Sequence, residues 1–194
     1  MMNYPDVYLL RHGQTEWNVA SRLQGGLDSP LTAQGRAQAQ RQKLLLASLW
    51  PELLDAQLYC SPQGRAQATA RIAFAGLGPR AISDDRLREI SAGSWDGAFL
   101  DDIERTNAPL FEQARNSFEL MFLAPDGEGE EAVIERCNSF LCDLTGPAVL
   151  ITHGATLCVL RGLLRGLAFE DTLDLSHEQG CVYAIKNGFE TILR

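Results

Sequence analysis

The chain has 194 residues, is 45% hydrophobic and 22% charged, and carries 17 basic against 25 acidic side chains, for a net charge of −8. These values fit one folded domain and exclude a disordered chain, and an acidic balance without a basic stripe argues against nucleic-acid binding. No apolar run approaches the roughly 18 residues of a membrane span, and the start MMNYPDVYLLRHG has no basic region ahead of its apolar run, so neither a span nor a secretory signal is expected.

Asp6 to Leu10 reads as a short apolar strand that stops at Arg11-His12-Gly13. A helix follows from near Thr32 to Leu49. Ala56 to Cys60 is a second strand, ending in Ser61-Pro62, with a helix from Gly64 to near Ala75. The stretch from Gly97 to Glu131 differs in kind. It holds nine acids, two arginines and no lysine, together with Phe111, Phe118, Met121 and Phe122. It reads as a helical insertion over a site or as a solvated helix with one apolar face. From Glu130 to Leu144 the apolar positions 133, 134, 137, 140, 141 and 144 keep the helical period. Ala148 to Thr152 is a third strand, ending in His153-Gly154. The helix after it carries Leu157, Leu160, Leu163 and Leu164 on one side. Cys181 to Ile185 and Thr191 to Leu193 close the chain around Asn187-Gly188, a hairpin signal.

Short apolar strands alternating with helices predict an α/β fold, a three-layer α/β/α sandwich with a mostly parallel central sheet. The expected organisation is one domain, 1–194, with 97–131 as a helical lid. Ligands in such folds sit beyond the carboxyl ends of the strands. Three strands end there in polar residues: Arg11-His12, Ser61 and His153.

Lysine occurs only at Lys43 and Lys186, so the other cations are arginines, whose planar forks suit phosphate or carboxylate. A nucleophilic imidazole must be neutral, with one nitrogen held by an acceptor and the other free, and neighbouring arginines depress its pKa. His12 beside Arg11 and Gly13 has that setting. No HxH or HExxH links the histidines. The five cysteines, at 60, 137, 142, 158 and 181, form no CxxC pair, so they read as small core residues of a protein in a reducing, cytoplasmic compartment. Arginine forks, an in-line nucleophile and an acid for the leaving oxygen are what phosphoryl transfer requires.

Four stretches carry a resemblance: RHGQTEWNVASRLQGGLDSPLTAQGRAQA from Arg11, SPQGRAQATA from Ser61, LREISAGSWDG from Leu87 and THG from Thr152. In this order and spacing the chain resembles the histidine phosphatase superfamily, the cofactor-dependent phosphoglycerate mutase family, over nearly its whole length. The resemblance implies that His12 becomes phosphohistidine and that Arg11, Arg65, His153 and Asn18 form the phosphate pocket. It implies Glu89 as the acid on the leaving oxygen and then the base that activates water. Gln24, Gly25 and the backbone of Gly154 and Ala155 would line the same pocket, the last two opening a helix whose N-terminus favours an anion. His153 would serve as a second cation. No cofactor and no metal is implied. The expected partner is a small-molecule phosphomonoester, without nucleic acid or membrane, and a homodimer is allowed.

The resemblance leaves the reaction to be chosen. A mutase needs extra cations for a second phosphate, supplied in that branch by the stretch after the glutamate and by the insertion. Here Glu89 is followed by Ile-Ser-Ala-Gly-Ser-Trp-Asp-Gly, the phosphatase-like form, and the insertion is acidic. The expected enzyme is therefore a histidine acid phosphatase-type phosphoric monoester hydrolase acting on a small phosphorylated metabolite with an apolar or cationic remainder. The alternatives are a 2,3-bisphosphoglycerate-dependent phosphoglycerate mutase and a phosphate-binding regulatory module with vestigial activity. Arg71, Arg86 and Arg88 are expected outside the site, Trp17 and Trp95 as packing beside it, and His177 as structural. Relatives often read Pro-Gly-Gly-Glu-Ser where this chain has Pro125-Asp126-Gly127-Glu128-Gly129, so a serine is absent.

Overall fold

Val7 and Leu9 face one side of the first strand, Tyr8 and Leu10 the other, and all four are buried. A strand buried on both faces must lie inside a sheet covered twice. The computed structural model describes residues 4–78 and 80–194. It runs β1 (Val7–Arg11), α1 (Glu16–Val19), α2 (Ala33–Ser48), β2 (Gln57–Cys60), α3 (Gly64–Ala73) and β3 (Ile82–Ser83). Three short helices follow, α4 (Leu100–Thr106), α5 (Ala108–Gln113) and α6 (Ser117–Phe122). Then come α7 (Gly129–Cys142), β4 (Ala148–Thr152), α8 (Gly154–Arg165), α9 (Phe169–Thr172), β5 (Val182–Lys186) and β6 (Phe189–Leu193).

The sheet order is β3-β2-β4-β1-β5-β6, with the first four strands parallel and β5 and β6 each antiparallel to its neighbour. This is the expected three-layer sandwich. Leu46 of α2 and Ala66, Ala70 and Ala73 of α3 cover one face with Tyr8, Leu10, Val149 and Ile151. Val133, Cys137 and Phe140 of α7 and Leu157 and Leu160 of α8 cover the other with Val7, Leu9 and Leu150. Because β2, β4 and β1 are adjacent and parallel, their carboxyl ends open at one edge. The ladder runs one residue further, His12 N–H donating to Thr152 O and Ser61 N–H to Ile151 O, both at 2.9 Å.

The loop after β1 presses on α2. A Cβ on Gly13 would stand 2.2 Å from the Gly35 carbonyl oxygen, and one on Gly35 would stand 2.0 Å from Gln14 O. Only glycine fits at either position, and the Thr32 hydroxyl caps the helix start by accepting from Gly35 N–H. Gln42, fully buried on α2, donates to Arg11 O and Cys181 O and so joins the ends of β1 and β5. At the far edge Asn187 (φ 51°) and Gly188 (φ 79°) make the two-residue turn expected there.

Some elements differ from expectation. Strand β3 has two exposed residues and no apolar alternation, so nothing local announced it. Helix α8 is buried almost all round rather than on one side. Cys60, Cys137, Cys158 and Cys181 are core residues, whereas Cys142 is exposed on the last turn of α7. No helix among the described residues is long and apolar enough to cross a membrane.

A buried ion pair fixes the hairpin to α8. Arg161, 1% exposed, donates through Nε and Nη2 to both carboxylate oxygens of Glu190 on β6, at 2.6 and 2.7 Å. Its Nη1 donates to Ser176 O, and its guanidinium lies 4.0 Å from the Tyr183 ring centroid. Removing one partner strands the other's charge, whereas removing both does not. Glu190→Leu should lower the unfolding free energy in urea by about 3–5 kcal/mol. The Arg161→Met/Glu190→Leu double variant should recover most of that loss.

Candidate active site

A cavity of about 200 Å³ opens at the shared carboxyl edge of β1, β2 and β4. Arg11, His12, Arg65, Glu89 and Gly154 line its inner end. His12 is buried, and its Nδ1 lies 2.8 Å from Gly13 O. That bond selects the tautomer with the proton on Nδ1, which leaves the Nε2 lone pair free. Burial, then Arg65 and Arg11, hold its pKa well below the usual 6.5. The ring is therefore uncharged at neutral pH.

The arginines around it are held from behind. Arg65 donates from Nη1 to Leu27 O at 2.6 Å and to Asp28 Oδ1 at 3.0 Å, and from Nη2 to Gly25 O at 3.0 Å. Arg11 donates from Nη1 to His177 O at 2.9 Å. In both, Nε is buried without a protein partner. His153 is fully buried, its ring 5.2 Å from that of His12, with Nε2 2.7 Å from Ser61 Oγ and Nδ1 without a partner. Burial, then Arg65 and His12, push its pKa well below 6.5. His153 is thus a neutral ring here, and it would become the second cation where the charge of a bound anion favours the protonated form.

Glu89 is buried between the cavity and the start of α8. Its Oε1 accepts from Ile90 N–H and Thr156 N–H, both at 3.1 Å, and its Oε2 from Ala155 N–H at 3.2 Å. The favourable helix N-terminus expected for the ligand is thus used largely by Glu89, and the Ala155 amide is already spent. Gly154 lines the cavity without such a tie. Asn18 accepts through Oδ1 from Thr15 N–H and from Gln179 Nε2, both at 3.1 Å, and lines the cavity. Gln24 lines it with Oε1 buried and unpartnered. The Gly25 carbonyl is taken by Arg65 and, at 2.7 Å, by Gln63 Nε2.

The outer end holds residues the motifs did not flag. Arg22 donates from Nε to Gly97 O, and its guanidinium lies 3.8 Å from the Trp17 centroid and 5.3 Å from that of Phe99. His177, expected to be structural, lines the cavity with its ring stacked 6.0 Å from Phe118, while its carbonyl orients Arg11. Its sequence context held no signal, because the tie to Arg11 runs through backbone. From 97–131 the wall receives Leu100, Ser117, Phe118 and Met121, and none of the nine acids of that stretch lines it. Asp126 instead accepts from Ser94 N–H and Oγ, and Glu128 pairs with Arg136 and Arg88. Helix α7 begins at Gly129 without a side-chain cap, where the serine is absent. Arg86 bridges Asp84 and Asp143 away from the cavity, and Trp95 is core. Among the described residues no cluster of three or more His, Cys, Asp or Glu could hold a metal ion.

Residues 7–190 match the histidine phosphatase superfamily (branch 1). "Probable phosphoglycerate mutase GpmB" of an Escherichia coli O139:H28 strain is 34% identical over 166 residues, 83% of this chain and 75% of that protein. The alpha-ribazole phosphatase from Shigella flexneri superposes with a TM-score of 0.79 at 28% identity, covering 97% of this chain and 94% of that one. A mycobacterial glucosyl-3-phosphoglycerate phosphatase, solved with VO3, gives 0.80 at 28% identity, covering 93% and 92%. By sequence, fold and the residues gathered at the strand ends, the chain belongs to the histidine phosphatase superfamily.

Proposed function

We propose that the chain is a phosphoric monoester hydrolase working through a phosphohistidine at His12. One observation carries the reading: a neutral imidazole with a free Nε2 stands among unpartnered nitrogens of Arg11, Arg65 and His153. Those nitrogens can donate to the oxygens of a phosphoryl group, whose charge they stabilise more as it develops. The Nε2 lone pair forms the N–P bond as the P–O bond to the alcohol breaks. The alcohol oxygen takes that electron pair and a proton from the acid form of Glu89. In the second half a water oxygen attacks phosphorus and gives its proton to Glu89. The N–P pair then returns to His12, and inorganic phosphate leaves. Positive charge comes from arginine, so the scheme uses no metal.

Hydrolysis is favoured over mutase chemistry by the outer wall. A mutase must hold a second phosphate there, and the wall offers Arg22 with Leu100, Phe118 and Met121. These same apolar residues support 97–131 as a lid over the leaving group of a small phosphomonoester. With Arg22 on the wall and its acids turned elsewhere, the site fits an apolar remainder better than a cationic one. The likeness to GpmB keeps the mutase as the second reading. The five cysteines are free, which accords with a reducing cytoplasm.

Rapid alkaline or detergent quenching after mixing with 4-nitrophenyl phosphate should trap acid-labile, base-stable phosphate on the peptide carrying His12. His12→Ala should abolish it, and excess chelator should leave it intact. Label on His153, or turnover surviving in His12→Ala, would remove the assignment. Transfer from 2,3-bisphosphoglycerate to a monophosphoglycerate faster than hydrolysis would favour the mutase.

The neutral pocket also bears on stability. His12 and His153 have depressed pKa values when folded, so below about pH 6.5 the unfolded chain binds more protons than the folded one. Their contribution is complete above that pH and is lost as pH falls. Unfolding free energy should decline from pH 6.5 to 5, and His12→Asn should flatten the slope by about 1 kcal/mol per pH unit. Identical slopes would contradict a neutral buried His12.

A further inference from the structure

Glu89 lies in neither a helix nor a strand, so no regular ladder fixes its backbone. Side chains fix it instead. Three consecutive carbonyls each accept from a different one: Arg86 O from Arg136 Nη1 at 2.6 Å, Leu87 O from Thr152 Oγ1 at 2.7 Å, and Arg88 O from Thr156 Oγ1 at 2.6 Å. On the other side Gln63 accepts the Glu89 N–H at 2.7 Å while donating to Gly25 O in the phosphate pocket. The acid is thus referenced to the pocket through side chains that touch no substrate in the scheme above.

Of these four residues, only Thr156 also reaches the carboxyl group. Its N–H lies 3.1 Å and its hydroxyl 3.3 Å from Oε1. A hydroxyl has one proton, and the 2.6 Å bond to Arg88 O claims it. Arg136, itself held by Glu128, donates to that hydroxyl oxygen at 3.3 Å and fixes its direction. The two carboxyl oxygens end up unequal. Oε1 is turned into the amides of Ile90 and Thr156 beside the Thr156 hydroxyl, whereas Oε2 has the Ala155 amide alone.

Resting on the reading of Glu89 as the acid, we infer that Thr156 is a positioning residue for proton transfer. By tying the Arg88 carbonyl to the first turn of α8, it turns Oε1 into the protein and presents Oε2 to the leaving oxygen. Its role is geometric, so it should be felt where protonation limits the rate and little where it does not.

The test is the single-turnover rate of phosphohistidine formation, measured with glycerol 1-phosphate and with 4-nitrophenyl phosphate. An alkyl alcohol must be protonated as it leaves, whereas 4-nitrophenolate needs little help. Thr156→Val keeps the shape and loses the hydroxyl. It should slow formation from the alkyl ester by about 10- to 100-fold, the scale of a misplaced catalytic group. The aryl ester should change by less than about threefold. Thr156→Ser should restore the alkyl rate, and Glu89→Gln should show the same selectivity more strongly. Should Thr156→Val not fold, Thr156→Cys keeps the reach with a much weaker donor. Equal losses for both esters, or none, would overturn the inference while leaving the phosphatase reading intact. Failure of the unaltered protein to label His12 from either ester would overturn both.

Discussion

Two guanidinium groups sit beside a neutral, buried imidazole at the inner end of the cavity, and the structure around the site depends on that arrangement. A charge removed from water must be met by dipoles or counter-charges, or it destabilises the fold. Arg65 is met mainly by carbonyls, those of Leu27 and Gly25, with Asp28 behind. Arg11 is met by the carbonyl of His177. These partners come from irregular segments. The chain between β1 and α2, and the one between α9 and β5, are shaped by presenting oxygen atoms to buried arginines. What the carbonyls leave unmet is one edge of each cation, and those edges lie about the His12 ring.

The same electrostatics keep the His12 ring neutral, as the proposed attack requires. Arginine beside histidine would be unfavourable if both were charged, so the pocket discharges the histidine and keeps the arginines. Glu89 stands near enough to both guanidiniums to favour their charge, yet it is tied to the amides of Ala155 and Thr156 rather than to either arginine. An ion pair with Arg11 or Arg65 would occupy the phosphoryl position. Fixing the carboxyl group at the helix start keeps that position free and leaves Glu89 beside it, as the proposed transfer to a leaving oxygen requires.

Much of this could be read along the chain because the signals are local. The unbroken apolar runs of β1 and β4, the Asn187-Gly188 turn and the polar residues ending three strands depend on neighbours in sequence. Sheet order then brings Arg11, His12, Ser61 and His153 to one edge. Other features depend on partners far away. His177 enters through its backbone carbonyl and a ring stacked on Phe118, and no side-chain pattern encodes a carbonyl. Arg22 lies inside a recognised motif but acquires its place from Trp17 and Gly97. The charge of His153 depends on what stands beside it, because burial and Arg65 hold the ring neutral until an anion is bound. The stretch 97–131 read as a lid or as a solvated helix with one apolar face, and the residues it turns to the cavity are mostly apolar, Leu100, Phe118 and Met121 with Ser117.

The proposed chemistry needs His12 uncharged, protonated on Nδ1, and surrounded by donors for a tetrahedral oxyanion. Histidine 15N NMR at pH 7, before and after orthovanadate, tests it directly. In the free protein His12 should be neutral with a bare Nε2. On saturation with vanadate, a stand-in for the phosphoryl group, Nε2 of His12 should shift to a bonded value and His153 should move toward its protonated form. A cationic His12 in the free protein, or an Nε2 signal unmoved at saturating vanadate, would contradict it.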